Sequence, residues 1–223
     1  RIFCREWIQF RRENYYIDQI YFEHDRNLLV KRKQGKSATR YEPAFESHLR
    51  DHGVLYIATD ERKRPVFGGV KVKNFDFIVI SFKGKYIIDV KGRRFADAPW
   101  ENWIHFSDIE GMRIWAKVLP QFTPLLVYPY LLDSKAEKAF LKEEFSVNDI
   151  ISFKGEKFGI VGITISDYYL NLKRRGKDKK EGLGGVYVSK TLFRKIAKPI
   201  SYFIPELREI PKGTIWQSKL RFL

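Results

Sequence analysis

Two apolar runs in this 223-residue chain carry acids where apolar side chains would be expected, Asn74-Phe75-Asp76-Phe77-Ile78-Val79-Ile80 and Ile87-Ile88-Asp89-Val90-Lys91-Gly92-Arg93. Both read as β-strands, and side-chain alternation puts Asp89 and Lys91 on one face with Val90 turned into the core. Burying an unpaired charge is costly, so charges in such runs need partners. If the strands pair through the Lys83-Gly84-Lys85 turn, Asp76 comes beside Asp89. Two close carboxylates repel unless a proton or a divalent cation sits between them. A hard cation such as Mg2+, held by one or two carboxylates plus phosphate oxygens and water, satisfies that arrangement, and Lys91 then approaches the same phosphate. Upstream, Glu42 and Glu46 are four apart and share a helix face. Asp-x-Lys alone is a common pattern, and its weight comes from this combination.

The elements that must position these residues can be read from periodicity and punctuation. Pro43 as a first-turn proline, with Phe45 and Leu49 at i and i+4, predicts a helix over about 41–52 stopped by Gly53. Residues 54–57 read as a strand and 75–82 with 86–90 as a hairpin. The spacing predicts a helix over 107–118, with Ser107 as N-cap and Asp108 and Glu110 in its first turn. Then come a buried strand over 123–128, a second hairpin over 153–165, a helical turn over 167–172, a strand over 185–188 and a helix over 190–197. Near the start, Phe3, Trp7, Phe10, Ile17 and Ile20 approach helical spacing over 3–22, and the polar break from Lys31 to Ser37 reads as a domain edge. No internal repeat is visible.

The balance of 42 Lys+Arg against 27 Asp+Glu leaves +15, with 44% hydrophobic and 16% aromatic residues. A folded body is expected rather than a disordered basic tail. The surplus favours a polyanionic partner, nucleic acid first and an anionic membrane surface second. It sits at the two ends: residues 1–40 hold 10 basic and 5 acidic groups and 171–223 hold 14 and 4, whereas 41–170 balance at 18 of each. The densest run, Lys173-Arg174-Arg175-Gly176-Lys177-Asp178-Lys179-Lys180, precedes a Gly-rich stretch and reads as a flexible loop, either solvated or in contact with phosphates. Arg93, placed by alternation on the face of Asp89 and Lys91, and Arg94 beside it are further candidates for phosphate contact.

A single cysteine, Cys4, excludes an intrachain disulfide and a cysteine-rich zinc site and fits a reducing cytoplasm. The longest apolar run, 125–132, is too short to cross a bilayer and holds Pro129, and Arg5, Arg11 and Arg12 interrupt the start, so a soluble cytoplasmic protein without a membrane partner is expected. His48 and His52 are four apart but lack a third convergent ligand. Gly35-Lys36-Ser37 ends like a phosphate loop, yet Val30 stands where its first glycine is required. Trp115, patterned with Met112 and Leu119, reads as core; Trp100 and Trp103 lie in a loop after the Asp89 strand and could stack on unpaired bases.

Glu42 or Glu46, then Asp76, then Asp89-Val90-Lys91 resembles the PD-(D/E)XK nuclease superfamily, the restriction-endonuclease-like and Holliday-junction-resolvase-like group, with Asn74-Phe75-Asp76 lacking the proline of the name. Arg40-Tyr41-Glu42-Pro43-Ala44-Phe45-Glu46 resembles the signature of the bacterial HYExAFE family, with Arg40 in place of its His. The likeness covers about 38–205, leaving 1–37 as a basic, aromatic N-terminal extension and 206–223 as a basic tail. It implies an α/β, restriction-endonuclease-like fold, a mixed β-sheet core flanked by helices, and metal-dependent hydrolysis of phosphodiester bonds, in DNA rather than RNA. Asp76 and Asp89 would be metal ligands with the Val90 carbonyl as a third. Lys91 would orient the attacking water or stabilise charge on the phosphate, and the helix acid, Glu42 or Glu46, would bind Mg2+ directly or through water, with Mn2+ substituting. Arg93, Arg94, Lys173, Arg174, Arg175 and Lys177 would contact the nucleic acid. Related folds often dimerise to cut both strands, so a homodimer is an open expectation. The alternative is a non-catalytic nucleic-acid-binding module on the same fold.

Overall fold

Tyr41, Ala44, Phe45, His48 and Leu49 recur at helical spacing, and all five are buried along one face of α1 (Ala38–Asp51). The structure, a computed structural model, describes residues 38–60, 63, 65–67, 69–142, 149–175 and 184–208. The helix expected over 3–22, the polar break at 31–37, Cys4, Lys177 and the chain beyond 208 lie outside them. Helix α1 is already under way at Ala38, so Pro43 sits in its second turn rather than its first. It stops as expected: Gly53 takes φ +63°, its N–H donates to Arg50 O at 3.0 Å and Val54 N–H donates to Leu49 O at 3.0 Å, the paired bonds of a Schellman cap.

Strand β1 (Leu55–Ala58) follows, then the short antiparallel pair β2 (Val66–Phe67) and β3 (Val70–Lys71), and the hairpin β4 (Phe77–Ile80) and β5 (Lys85–Val90). The hairpin turn is centred on Phe82-Lys83, one residue earlier than the sequence suggests, because Ser81 and Gly84 exchange backbone hydrogen bonds. After β6 (Arg93–Arg94) and β7 (Ile104–His105), helix α2 (Phe106–Val118) returns the chain to β8 (Thr123–Leu132), which runs parallel to β5 and β6. Helix α3 (Ser134–Leu141), β9 (Ile150–Phe153), β10 (Glu156–Thr164), α4 (Ile165–Asn171), β11 (Lys173–Arg175), β12 (Gly185–Tyr187), α5 (Lys190–Ile196), β13 (Lys198–Pro199), α6 (Ile200–Phe203) and a 3-10 turn at Pro205–Arg208 complete the described chain. The order β1-β4-β5-β8-β10-β13, with β6 on β8 and β9 on β10, makes a mixed sheet, and β11-β12-β7 make a second, smaller one.

Helices flank both faces of the main sheet, as expected. On one, α1 packs on Phe77, Val79, Ile88, Val90, Leu125 and Val127; on the other, Ile109 and Met112 of α2 and Tyr168 of α4 pack on Ile87, Leu126, Tyr128 and Ile163. Burying side chains of this size contributes about 1.5–3 kcal/mol each.

Several elements depart from the sequence reading. Strand β8 continues through Pro129 to Leu132, although a proline ordinarily ends a central strand. Lys91 N–H donates to Val127 O at 2.7 Å and Phe95 N–H to Leu131 O at 3.0 Å, so residues 127, 129 and 131 turn their backbone polar groups to this side. The missing N–H of Pro129 therefore faces the Lys91-Gly92 interruption between β5 and β6, where the ladder lapses. Helix α3 has no counterpart in the sequence reading; Asp133 caps it, accepting from Lys135 N–H and Ala136 N–H. In the basic run, Lys173–Arg175 is a strand paired to β12 rather than loop. Packing also continues past 205: Leu207 is buried, and Glu206 accepts from Ser81 Oγ and Phe82 N–H.

The His48 and His52 rings meet edge to face at 4.4 Å, with His48 buried. Burial, reinforced by the charge of His52, pushes the His48 pKa down to about 3. Below its ordinary value of 6.5 the unfolded chain takes up a proton that the folded protein refuses, so stability falls as pH drops from 6.5 toward 3, by up to about 1.4 kcal/mol per pH unit. Urea unfolding across that range should show a shallower acid slope for His48→Leu than for wild type; equal slopes would contradict a neutral buried His48.

Candidate active site

The β4–β5 pairing ends at Phe77 and Ile88, and the residue before the one and the residue after the other, Asp76 and Asp89, are both nearly fully buried. Asp76 N–H donates to Ile88 O at 2.8 Å, and Asp76 Oδ2 accepts from Val90 N–H at 2.6 Å, so this carboxylate fixes the backbone of the Asp-x-Lys strand. Asp89 follows Ile87 onto the α2 face, with Ile88 and Val90 on the α1 face, as alternation required.

Lys91 Nζ lies 2.7 Å from Asp89 Oδ2 and 3.3 Å from Asp108 Oδ2. Lys73 Nζ lies 2.8 Å from Asp108 Oδ1 and 3.7 Å from Asp89 Oδ1. Two buried carboxylates and two ammonium groups thus alternate around one centre. Burial works against charge on Lys91, but Asp89 and Asp108, with Asp76 adding to them, outweigh it and hold its pKa above the ordinary lysine value. For Asp108 burial acts upward, and Lys91 and Lys73 overcome it and pull its pKa below the usual carboxylate value.

Sequence reasoning misses Lys73 and Asp108 as site residues. It shows Asp108 only as a first-turn acid complementing the helix dipole. The residue preceding α2 is His105, which makes no side-chain cap; Ser107 lies inside the helix, and Asp108 turns inward to the lysines. Lys73 stands outside regular structure and is placed by Trp115, whose Nε1 donates to Lys73 O at 3.0 Å. Trp115 also packs edge to face on Phe75 and Phe67, so the core reading of this residue holds alongside its hold on Lys73.

The helix acids are not gathered in the same way. Helix α1 covers the face opposite Asp89, and Glu46 Oε1 accepts from Tyr56 OH on β1 at 3.1 Å. Burial, then the charge of Glu46, pushes the Tyr56 hydroxyl up to about 12, which keeps it a donor. Glu42 is half-buried on the turn of α1 that approaches Gly92: a Cβ there would stand 2.0 Å from the Tyr41 ring, so only glycine admits this contact. Among the described residues, no group of three or more His, Cys, Asp or Glu side chains is arranged to hold a metal ion.

The donor chemistry nonetheless fits Mg2+. Both oxygens of Asp89 face cationic groups already, Asp76 and Asp89 are buried hard oxygen donors at the end of one hairpin, and one or two carboxylates suffice for an ion that keeps water and takes phosphate oxygens.

Arg93 does lie toward this face but is engaged: its guanidinium donates to Gly92 O and Trp103 O and sits over the Trp103 ring. Arg94 is exposed and pairs with Asp97. Trp100 is buried, stacked on Phe140 in the core rather than open to a base. Lys173 and Arg174 are exposed on β11, which pairs through β12 with β7, the strand that runs directly into α2 and Asp108. A cavity of about 380 Å³ beside them is lined by Trp103, Arg174, Tyr187 and Lys190. No helix among the described residues is long and apolar enough to cross a membrane.

No family model matches the chain, and no curated protein does. The likeness to the HYExAFE family therefore rests on the motif residues alone. Among solved structures, the chain is similar to Hjc, a Holliday junction resolvase from the archaeal hyperthermophile Archaeoglobus fulgidus, with a TM-score of 0.41 and 10% identity over 74% of this chain and 98% of that one.

Proposed function

We propose that this protein is a metal-dependent endonuclease that hydrolyses phosphodiester bonds, in DNA rather than RNA. The observation that supports it is two buried acids, Asp76 and Asp89, at the end of one hairpin, with the Lys91 ammonium 2.7 Å from Asp89. Asp76 and Asp89, with the Val90 carbonyl, would hold Mg2+ or Mn2+, which when bound supplies Lewis-acid activation and charge neutralisation at the scissile phosphate. Lys91 is held charged by two carboxylates and would place its N–H donors where negative charge develops on the phosphate, an arrangement set before substrate arrives. Asp76 keeps the Val90 backbone fixed through its second role as acceptor. The helix acid, Glu42 or Glu46, would bind the ion directly or through water; the turn of α1 that carries Glu42 lies against Gly92.

The purified protein should cleave a duplex or branched DNA when Mg2+ or Mn2+ is present and not in excess chelator, with RNA of the same sequence cut more slowly. DNA affinity indifferent to Mg2+, with no product, would instead establish the non-catalytic binding module.

Substrate capture is assigned to the basic strand. Replacing Lys173, Arg174 and Arg175 with Gln should weaken DNA binding and flatten its salt dependence by about one unit of slope for each phosphate no longer neutralised, leaving metal-dependent chemistry in place. Binding titrations at several salt concentrations measure this directly; an unchanged slope would make the strand a solvated edge.

A further inference from the structure

The geometry points to Asp108 as a positioning residue for the metal site: its carboxylate retains the ammonium groups of Lys91 and Lys73 when Asp89 gives its oxygens to a divalent cation. This rests on the reading of Asp76 and Asp89 as the metal ligands.

Asp89 lies against Lys91 at 2.7 Å and Lys73 at 3.7 Å, so a cation arriving at Asp89 must compete with two ammonium groups. Each of those groups has a second acceptor in place. Asp108 Oδ2 is 3.3 Å from Lys91 and Oδ1 is 2.8 Å from Lys73, so one buried carboxylate faces both lysines with one oxygen apiece. Small movements of the two Nζ atoms toward Asp108 release Asp89 without stranding either charge, whereas a buried ammonium with no second acceptor would resist leaving.

Formal charge gives the same answer. Asp76, Asp89 and Asp108 against Lys73 and Lys91 leave one net negative charge, which becomes one positive charge on binding a divalent cation. Removing the Asp108 charge makes the loaded site doubly positive, and removing Lys73 as well restores the original balance. Asp108 lies in the first turn of α2, and Lys73 is anchored through its own carbonyl to Trp115 of the same helix, so both are tied to α2.

The test is Mn2+ affinity of the full chain without nucleic acid, followed by the paramagnetic resonance signal of free Mn2+, with thermal melting to show that each variant is folded. Loss of an outer-sphere partner commonly lowers metal affinity about 10–100-fold, so Asp108→Asn should bind Mn2+ at least about tenfold more weakly than wild type. Lys73→Met should bind it at least as tightly as wild type, and Lys73→Met combined with Asp108→Asn should return toward the wild-type value. Wild-type binding with Asp108→Asn unchanged would overturn the role of Asp108 and leave the metal ligands standing. A double variant as weak as Asp108→Asn would overturn it too, because the effect would then be structural rather than one of counter-charge. Absence of Mn2+ binding by wild type would remove the reading of Asp76 and Asp89 as ligands, and the role of Asp108 with it.

Discussion

Substituting Asp76 with Asn is expected to reduce Mg2+-dependent DNA cleavage by at least about a hundredfold while leaving the melting temperature near that of wild type. The Asn side chain keeps an acceptor for the Val90 N–H, which Asp76 Oδ2 binds at 2.6 Å, but removes a charged donor from the proposed cation site. Asp76→Ala should lose the same activity and, in addition, about 1–3 kcal/mol of stability, because it strips a buried backbone N–H of its acceptor. Comparing single-turnover cleavage with thermal unfolding for the two variants separates the chemical role of this residue from its structural one. Cleavage by Asp76→Asn at the wild-type rate would remove Asp76 from the site.

The largest expected effect on stability lies elsewhere, at Asn102. Its Nδ2 donates to Trp100 O at 3.0 Å and Val188 O at 2.9 Å, and its Oδ1 accepts from Val188 N–H at 2.8 Å. Its backbone carbonyl accepts from Tyr128 OH at 2.9 Å and Tyr168 OH at 2.7 Å. This one buried residue ties the loop after β6 to β12 and, through the tyrosines, to β8 and α4. Asn102→Ala leaves three buried backbone groups without partners, a loss of about 3–5 kcal/mol overall, or a fall in Tm of roughly 10 °C. Differential scanning calorimetry reads it directly, and a shift under about 2 °C would show that the side-chain bonds are replaced by water or by repacking. Asp108 follows this loop in sequence, so the same variant is also expected to loosen the charge network.

What the sequence made legible depended on the range of the interactions that decide it. The period of two in the β5 strand set Asp89 and Lys91 on one face and Val90 on the other, and the hairpin carried Asp76 to the end of β5, where it accepts from Val90 N–H. Local chemistry likewise ended α1 at Gly53. Asp108 was not legible as a site residue, because its inward turn depends on the β5–β8 crossover that lays α2 over Asp89, and no local pattern encodes that. Lys73 lies in no regular element, and what places it is long-range, the Trp115 indole on its carbonyl and Asp108 on its ammonium. The strand at Lys173–Arg175 is hidden in a run whose composition reads as loop; its partner in β12 lies beyond a Gly-rich stretch, so pairing rather than propensity makes it a strand. Pro129 misled for a comparable reason: its missing N–H is harmless only because it faces the Lys91-Gly92 gap.

Glu42 and Glu46 mark the limit of pattern reading in the other direction. Spacing of four makes them equivalent on a helix, and the fold distinguishes them by what each turn of α1 meets, Gly92 at one end and Tyr56 at the other. The charge asymmetry seen in composition has a structural counterpart as well. The acids and lysines that balance in 41–170 include the buried network, and Lys173 and Arg174 are exposed on the small sheet that leads into α2.

Lys91 is the most direct test of a phosphodiester-hydrolysing centre at the end of this hairpin, because removing its ammonium spares both proposed metal-ligating aspartates. Single-turnover cleavage of DNA in Mg2+ by Lys91→Met, set against wild type, should be slowed about 10²–10³-fold, the usual cost of losing one preorganised donor, with Mn2+ affinity maintained. A Lys91→Met protein that cuts DNA at the wild-type rate would contradict a hydrolytic centre built on Asp76, Asp89 and Lys91.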